Sequence, residues 1–353
     1  AQEVARLATD DLEAQMDALR YFKASQVLRV AASEIAGRLP LMKVSDNLTW
    51  IAEVILEQVL AVAWADLSRK YGEPRRDGDG YGFAVFGYGK LGGIELGYAS
   101  DLDLVFVHDG ARGSTDGERS LDNTVFYMRL GQRMIHILET RMALGQLYEV
   151  DMRLRPDGDS GSLVPSVEGF ANYQQGNAWT WEHQALVRAR FAAGDADVAA
   201  KVEQIRQRVL CSDRDKAELV SEVVKMRRRM REHLLPSETP DRFHLKQGTG
   251  GMVDIEFMVQ YAVLAWASQT PELARWSDNV RILEVLGKEG LFSESDAAAL
   301  TRAYLDYRSA AHQLALQQQP GEVEGSQFVR ERALVKAQWE RLLGDAPAEG
   351  AAP

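Results

Sequence analysis

The stretch 83–107 constrains this chain more than any other. Phe83-Ala84-Val85-Phe86 is a wholly apolar run of strand length, and Leu102 to Val107 reads as a second strand. Gly87-Tyr88-Gly89-Lys90-Leu91-Gly92-Gly93 follows the first of them, so the chain turns between strands on glycines. Asp101 and Asp103 stand two apart on the second strand. Period two sends both carboxylates to one face, while Leu102 and Leu104 enter the core.

Three chemistries compete for such a segment. Gly87, Gly89 and Gly92 satisfy the spacing of the dinucleotide-binding fingerprint. Yet Gly93 to Ser100 is too short, and too broken by Gly97, to be the crossover helix that parallel strands need. A Walker loop fails because Gly89-Lys90 is followed by Leu91 and no glycine stands five positions before Gly89. The third reading uses the carboxylates. Side by side they repel unless a cation lies between them, and Mg²⁺, which takes oxygen ligands and keeps room for substrate phosphates, suits the pair. Two such ions at one phosphoryl centre call for a third carboxylate.

Asp151 is the candidate. From Leu147 to Arg155, Tyr148, Val150, Met152 and Leu154 alternate with Glu149, Asp151, Arg153 and Arg155, as on a single strand with one charged face. Asp151 is also placed to act as base toward an attacking hydroxyl. Arg153 and Arg155 share its face, either to hold triphosphate oxygens or to form a structural ion pair that offsets the carboxylates.

Elsewhere the pattern is helical. Apolar residues recur at helical spacing from Val4 to about Ile35, and a second helix is expected from an Asp46 or Asn47 cap to about Tyr71-Gly72. A polar loop covers 72–80. Ser120 is expected to cap a helix closed by Gly145, and after Asp213 helical patterns run to about 343 with no strand among them. The expected organisation is N-terminal helices over 1–70, a catalytic domain over 71–210, a helical bundle over 211–343 and a disordered tail over 344–353.

Weaker candidates lie in the second half. Lys246, Gly250 and Gly251 precede a helix starting near Met252, where glycine-exposed amides favour an anion; a flexible loop with no ligand is the alternative. Asp254 and Glu256 are two apart on that helix and point in different directions, which leaves Glu256 as a buried partner for an arginine. The basic run Lys225 to Arg231 reads as a solvated face, with docking of an acidic partner surface as the alternative. Trp179 and Trp181 are expected to pack a junction between domains, and His183 to be structural.

Charge excludes the simplest alternatives. Lys plus Arg number 41 against 52 Asp plus Glu, a net −11, so neither nucleic acid nor an anionic membrane surface is the default partner. Cys211 is the one cysteine, which forbids an internal disulfide and points to a reducing, cytoplasmic setting. No apolar run of membrane-spanning length and no signal peptide are read, and Asn47-Leu48-Thr49 is a chance acceptor match. Ala1 in place of Met suggests a piece of a longer chain.

Strand, glycine turn and Asp-apolar-Asp on the next strand resemble the nucleotidyltransferase superfamily typified by DNA polymerase beta. Gly-Tyr-Gly-Lys-Leu-Gly-Gly-x-Glu-Leu with Ser-Asp-Leu-Asp-Leu (87–104), Tyr-Glu-Val-Asp-x-Arg-Leu-Arg-Pro (148–156) and Gly-Gly-x-x-Asp-Ile-Glu-Phe (250–257) are similar to the glutamine synthetase adenylyltransferase family, whose members carry AMP-adding and AMP-removing halves. Trp179 to Leu186 and Tyr98-Ala99-Ser100-Asp101 resemble the adding half.

The resemblance implies an α+β polymerase beta-like domain with a small mixed sheet, followed by a helical bundle. It further implies metal roles for Asp101 and Asp103, with Asp151 fitting as the third carboxylate, and nucleotide contacts from Gly87, Tyr88, Gly89, Lys90 and Ser100. The implied reaction is Mg²⁺-dependent transfer of AMP from ATP to a tyrosine of glutamine synthetase, with glutamine and the PII signal protein as regulators of the intact enzyme. Two alternatives stay open: phosphorolytic removal of AMP from the same tyrosine, and a nucleotide-sensing module without catalysis.

Overall fold

The computed structural model describes residues 11–74, 80–235 and 239–344; the readings made on 4–10, 75–79 and 345–353 lie outside the described residues. The chain forms two compact units, one of residues 1–178 with 188–205 and the other of 179–187 with 206–353.

The first unit is α+β. It opens with α1 (Leu12–Ile35), capped by the Asp11 carboxylate, and α2 (Leu41–Tyr71), which starts directly after Pro40 and stops at Gly72. Proline fixes φ and lacks an amide, so it starts a helix without cost; Asp46 and Asn47, expected as caps, lie inside α2. α2 packs against α1, the sheet and a later helix, and Ile55, Leu56, Val59, Leu60 and Ala63 are wholly buried. By length and composition alone α2 passes as a membrane span, against the sequence expectation, but 61% of its most apolar window is buried inside the protein.

β1 (Phe83–Gly87) leads through the single turn α3 (Gly89–Gly92) into β2 (Leu102–His108). α4 (Asn123–Glu139), β3 (Val150–Asp151), α5 (Val167–Gly176) and β4 (Arg190–Gly194) follow in this unit. The strand order is β3-β2-β1-β4, with β1 antiparallel to both β2 and β4 and β3 parallel to β2. An antiparallel β1–β2 pair needs no crossover helix, which disposes of the dinucleotide fold. α4 is capped by Asp122 rather than Ser120 and ends at Glu139, well before Gly145.

α1 belongs to this unit through a buried cation. The Arg20 guanidinium donates to Ile137 O at 3.1 Å, to Gly145 O at 2.9 Å and to Thr140 O, which satisfies acceptors at the exposed end of α4. The chain beyond that end leads directly into β3.

The second unit is helical. It contains α6 (Thr180–Val187), which the sequence reading places with the sheet, and the two-unit boundary falls inside α7 (Ala196–Leu210). α8 (Lys216–Leu234), α9 (Met252–Trp266), α10 (Asn279–Lys288), α11 (Glu294–Leu316) and α12 (Val329–Leu343) follow. α9 is buried at nearly every position because α6, α8, α10, α11 and α12 all pack on it. A two-stranded ribbon, β5 (Arg242–His244) with β6 (Glu322–Glu324), was not expected; three-residue strands carry too little alternation to read.

Candidate active site

The glycine turn meets the sheet at the acidic edge. The β1–β2 ladder runs to Gly87 opposite Leu104, and the Tyr88 amide continues it by donating to Asp103 O at 2.9 Å. Gly89 sits at φ +52°, and a Cβ there would lie 2.2 Å from Asp103 Oδ2, so a side chain cannot replace the backbone against that carboxylate. At Gly92 a Cβ would fall 1.7 Å from Arg188 O.

On the other side of β2, Asp103 pairs in register with Asp151 of β3. Residues opposite one another in a ladder project to the same face, and Asp101, two residues before Asp103, joins them at the strand's start. Asp101, Asp151, Glu139, Glu149, Arg153 and Asp159 line an open cleft of about 430 Å³. Among the described residues no three His, Cys, Asp or Glu side chains converge closely enough to hold a metal ion unaided. The donor set nevertheless fits Mg²⁺, which takes one or two carboxylates and completes its shell with water and substrate phosphate.

Asp151 is held by its neighbour. The Arg153 amide donates to Asp151 Oδ1 at 2.8 Å, and Arg153 Nε lies 3.0 and 2.9 Å from the two carboxylate oxygens. These bonds hold the carboxyl below its usual range, outweighing the opposing effect of partial burial. Arg153 itself is 75% exposed at its side chain and its guanidinium is held further toward the charged form by Asp151.

Several expected site residues are placed differently. Leu147 to Arg155 is not one strand: β3 is two residues long, the chain then turns, and Arg155 is buried, donating to Met152 O at 2.9 Å instead of sharing the face of Asp151. The Ser100 hydroxyl accepts from the Gly97 amide at 3.0 Å and closes the local turn. Tyr88 is buried, so its backbone rather than its ring faces the site edge, while Lys90 is exposed.

The second glycine loop, with Lys246, Gly250 and Gly251, has its amides committed. Gly250 donates to Asp254 Oδ2 at 2.7 Å, Gly251 to Gly248 O at 2.9 Å, Met252 to Leu245 O at 2.9 Å and Val253 to Lys246 O at 3.1 Å. That leaves no anion-binding cup before α9, and Lys246 is an exposed side chain. Asp254 is an arginine partner that the sequence did not mark: Arg227 Nε reaches it at 2.6 Å and Arg231 at 2.9 Å, while Glu256 accepts from Tyr304 Oη at 3.0 Å and its charge also acts on Arg227. Arg227 is thereby removed from the expected solvated basic face. Trp179 is 67% exposed and, with Trp181, lines a groove against α8.

Sequence reasoning missed two arginines. Arg188 Nε donates to Gly89 O at 3.0 Å and its guanidinium pairs with Glu95, both side chains being buried. Arg190 donates to Gly92 O and Leu91 O, each at 3.1 Å, and pairs with Glu53 of α2. Their targets are backbone carbonyls, which leave no mark in a sequence.

A family model described as glutamate-ammonia ligase adenylyltransferase matches residues 1–205, and one described as GlnD PII-uridylyltransferase matches residues 216–322. The bifunctional glutamine synthetase adenylyltransferase/adenylyl-removing enzyme of Hahella chejuensis (strain KCTC 2396) is 53% identical over 353 residues. The alignment covers 98% of this chain and 37% of that protein, so the chain spans little more than a third of its relative's length. With the first model matching more than half of its residues, the chain belongs to the glutamate-ammonia ligase adenylyltransferase family.

Proposed function

We propose that this chain transfers AMP from ATP to a tyrosine hydroxyl of glutamine synthetase. The phenolic oxygen bonds to the α-phosphorus and gives up its proton to solvent, the bond from that phosphorus to the bridging oxygen breaks, and pyrophosphate leaves. The observation that carries the reading is Asp103 in register with Asp151 while the glycine turn lies against Asp103.

Asp101, Asp103 and Asp151 would hold Mg²⁺, which when bound neutralises charge on the phosphates. The chain's own groups do the rest. The turn at Gly87 and Gly89 lets phosphates approach backbone without a side chain in the way. Arg153, exposed beside Asp151, is placed to hold triphosphate oxygens. Held ionised by Arg153, Asp151 is a poor final acceptor for the phenol proton at neutral pH, so oxygen ligand suits it better than base.

The relative's name covers removal as well as addition of the adenylyl group, and the same carboxylates serve either direction. Intact-mass measurement on glutamine synthetase with ATP and Mg²⁺ separates them: an AMP-sized gain is expected. Loss of AMP from adenylylated protein with orthophosphate, and no gain with ATP, would select removal; tight nucleotide binding with neither would select a silent module. Regulation by glutamine and the PII signal protein, and a cytoplasmic setting, go with this reading as proposals for the longer protein.

A further inference from the structure

We propose that Arg188 and Arg190 are positioning residues that clamp the glycine turn against Asp103, with Glu95 and Glu53 holding the two guanidinium groups in place. The inference rests on the adenylyl-transfer reading of the site and adds to it the parts that fix its geometry.

Arg190 stands directly opposite Gly87 in the β1–β4 ladder, and Arg188 lies two residues earlier, before β4 begins. Between them they take the carbonyl oxygens of Gly89, Leu91 and Gly92, three of the four residues of α3. A one-turn helix has no further turns to hold it: Gly89 O and Leu91 O each accept one amide, from Gly93 at 3.1 Å and Ile94 at 3.3 Å, and the arginines add a second, side-chain bond to each. Without the arginines, a glycine-rich turn is also the backbone with the most conformations to wander among. Because Tyr88 N is bonded to Asp103 O and Gly89 lies against Asp103 Oδ2, any drift of the turn releases the carboxylate's neighbour.

A purely structural role explains these pairs poorly. Burying Arg188 with Glu95 removes two charges from water, and such a pair is often no more stabilising than apolar residues of the same size. What the guanidinium supplies is shape: a planar fork reaches Glu95 with one nitrogen and Gly89 O with another, which the point charge of lysine cannot do. The Arg190–Glu53 pair repeats the arrangement in a half-buried place, and there the charge costs less. Glu53 projects from α2, so an N-terminal helix reaches the site through this clamp.

The test uses the 353-residue chain and the variants Arg190→Lys, Glu53→Gln and Arg188→Lys, each checked by near-ultraviolet circular dichroism and urea unfolding. Mg²⁺-ATP affinity is read by calorimetry, and the transfer reaction is read as kcat, KM for ATP and KM for glutamine synthetase. For Arg190→Lys we expect a native-like fold, about 10-fold weaker nucleotide affinity, a raised KM for ATP with lowered kcat, and unchanged KM for glutamine synthetase. Glu53→Gln should fall between this variant and the parent. Arg188→Lys should do the same more severely, and if it fails to fold the Arg190 and Glu53 variants still decide. Folded Arg190→Lys and Glu53→Gln proteins with parental affinity and parental constants for ATP overturn the clamp. A parent chain that neither binds Mg²⁺-ATP nor transfers AMP overturns the functional reading, and the clamp with it.

Discussion

The two glycine-rich turns of this protein look alike in sequence and differ in what surrounds them. The turn at 87–93 lies against Asp103, which shares an open acidic face with Asp151, and arginines hold the turn's carbonyls from behind. The turn at 248–251 lies against Asp254, whose carboxylate is buried and saturated by Arg227, Arg231 and the Gly250 amide. In the first, Arg188 and Arg190 bind the turn's backbone, and the carboxylate stands on the face that Asp151 shares. In the second, arginines bind the carboxylate itself. Glycine spacing therefore marks a close approach of backbone to a carboxylate, and only the disposition of the cations says whether that carboxylate serves chemistry or architecture.

The sharpest way to break this contrast is to neutralise each aspartate. Asp103→Asn is expected to keep the fold and to lower transfer by about 10³-fold, the scale of several kcal/mol of lost charge stabilisation. Near-normal turnover in a folded variant would remove the metal-site assignment. Asp254→Asn is expected to do the opposite kind of damage, because it strands two guanidiniums, one fully buried. Urea unfolding should show a loss of roughly 3–5 kcal/mol, the usual consequence of removing one partner of a buried pair. Unchanged stability would show that Asp254 is not the keystone its contacts suggest.

How much of this was legible in the sequence follows from the range of each interaction. β1 and β2 were readable because strand period and burial are local properties, although Asp101, expected on the strand with Asp103, stands one residue before β2 begins. β3 was over-read: the alternation from Leu147 to Arg155 continues through a turn, and Arg155 bends inward to Met152 O. The amides of the second glycine loop looked available because their acceptors, Leu245 O, Lys246 O and the Asp254 carboxylate, are recognisable only once the turn has closed. Arg188 and Arg190 were invisible for the same reason at longer range, since each bonds to carbonyls about a hundred residues earlier in the chain. Asp254 was not readable as an arginine partner; it lies on one helix with Glu256, and a sequence does not say which positions α8 faces.

The segment that leads into β3 is also tied to α1, and pH reads that tie. Lys23 of α1 donates to Leu147 O, sits 3.8 Å from the centroid of the Tyr148 ring, and is pushed down from 10.5 to about 8, first by burial and then by the charge of Arg20. A base with a depressed folded pKa favours folding in its neutral form. Its contribution therefore rises as pH climbs from about 8 toward 10.5 and is flat below 8. Compared with Lys23→Met, the parent chain should gain on the order of 1–3 kcal/mol across that window. Parallel stability profiles for the two proteins would mean that Lys23 is solvated.

The smallest expected effect belongs to Lys246, and it bears most directly on the comparison. If the second glycine turn were a phosphate cup, Lys246 would be its charge, and removing that charge would raise KM for ATP severalfold. The geometry argues otherwise: the neighbouring amides are bonded to Leu245 O, Lys246 O, Gly248 O and Asp254, and the lysine is exposed. Lys246→Ala should then change KM for ATP by no more than about twofold, the scale of an ordinary surface substitution. Set beside the severalfold rise expected when Arg153→Ala removes the exposed guanidinium at Asp151, that near-silence would confine nucleotide recognition to the first turn. A KM for ATP raised as far by Lys246→Ala as by Arg153→Ala would instead make the two turns partners in one site, and the distinction drawn from their cations would fail.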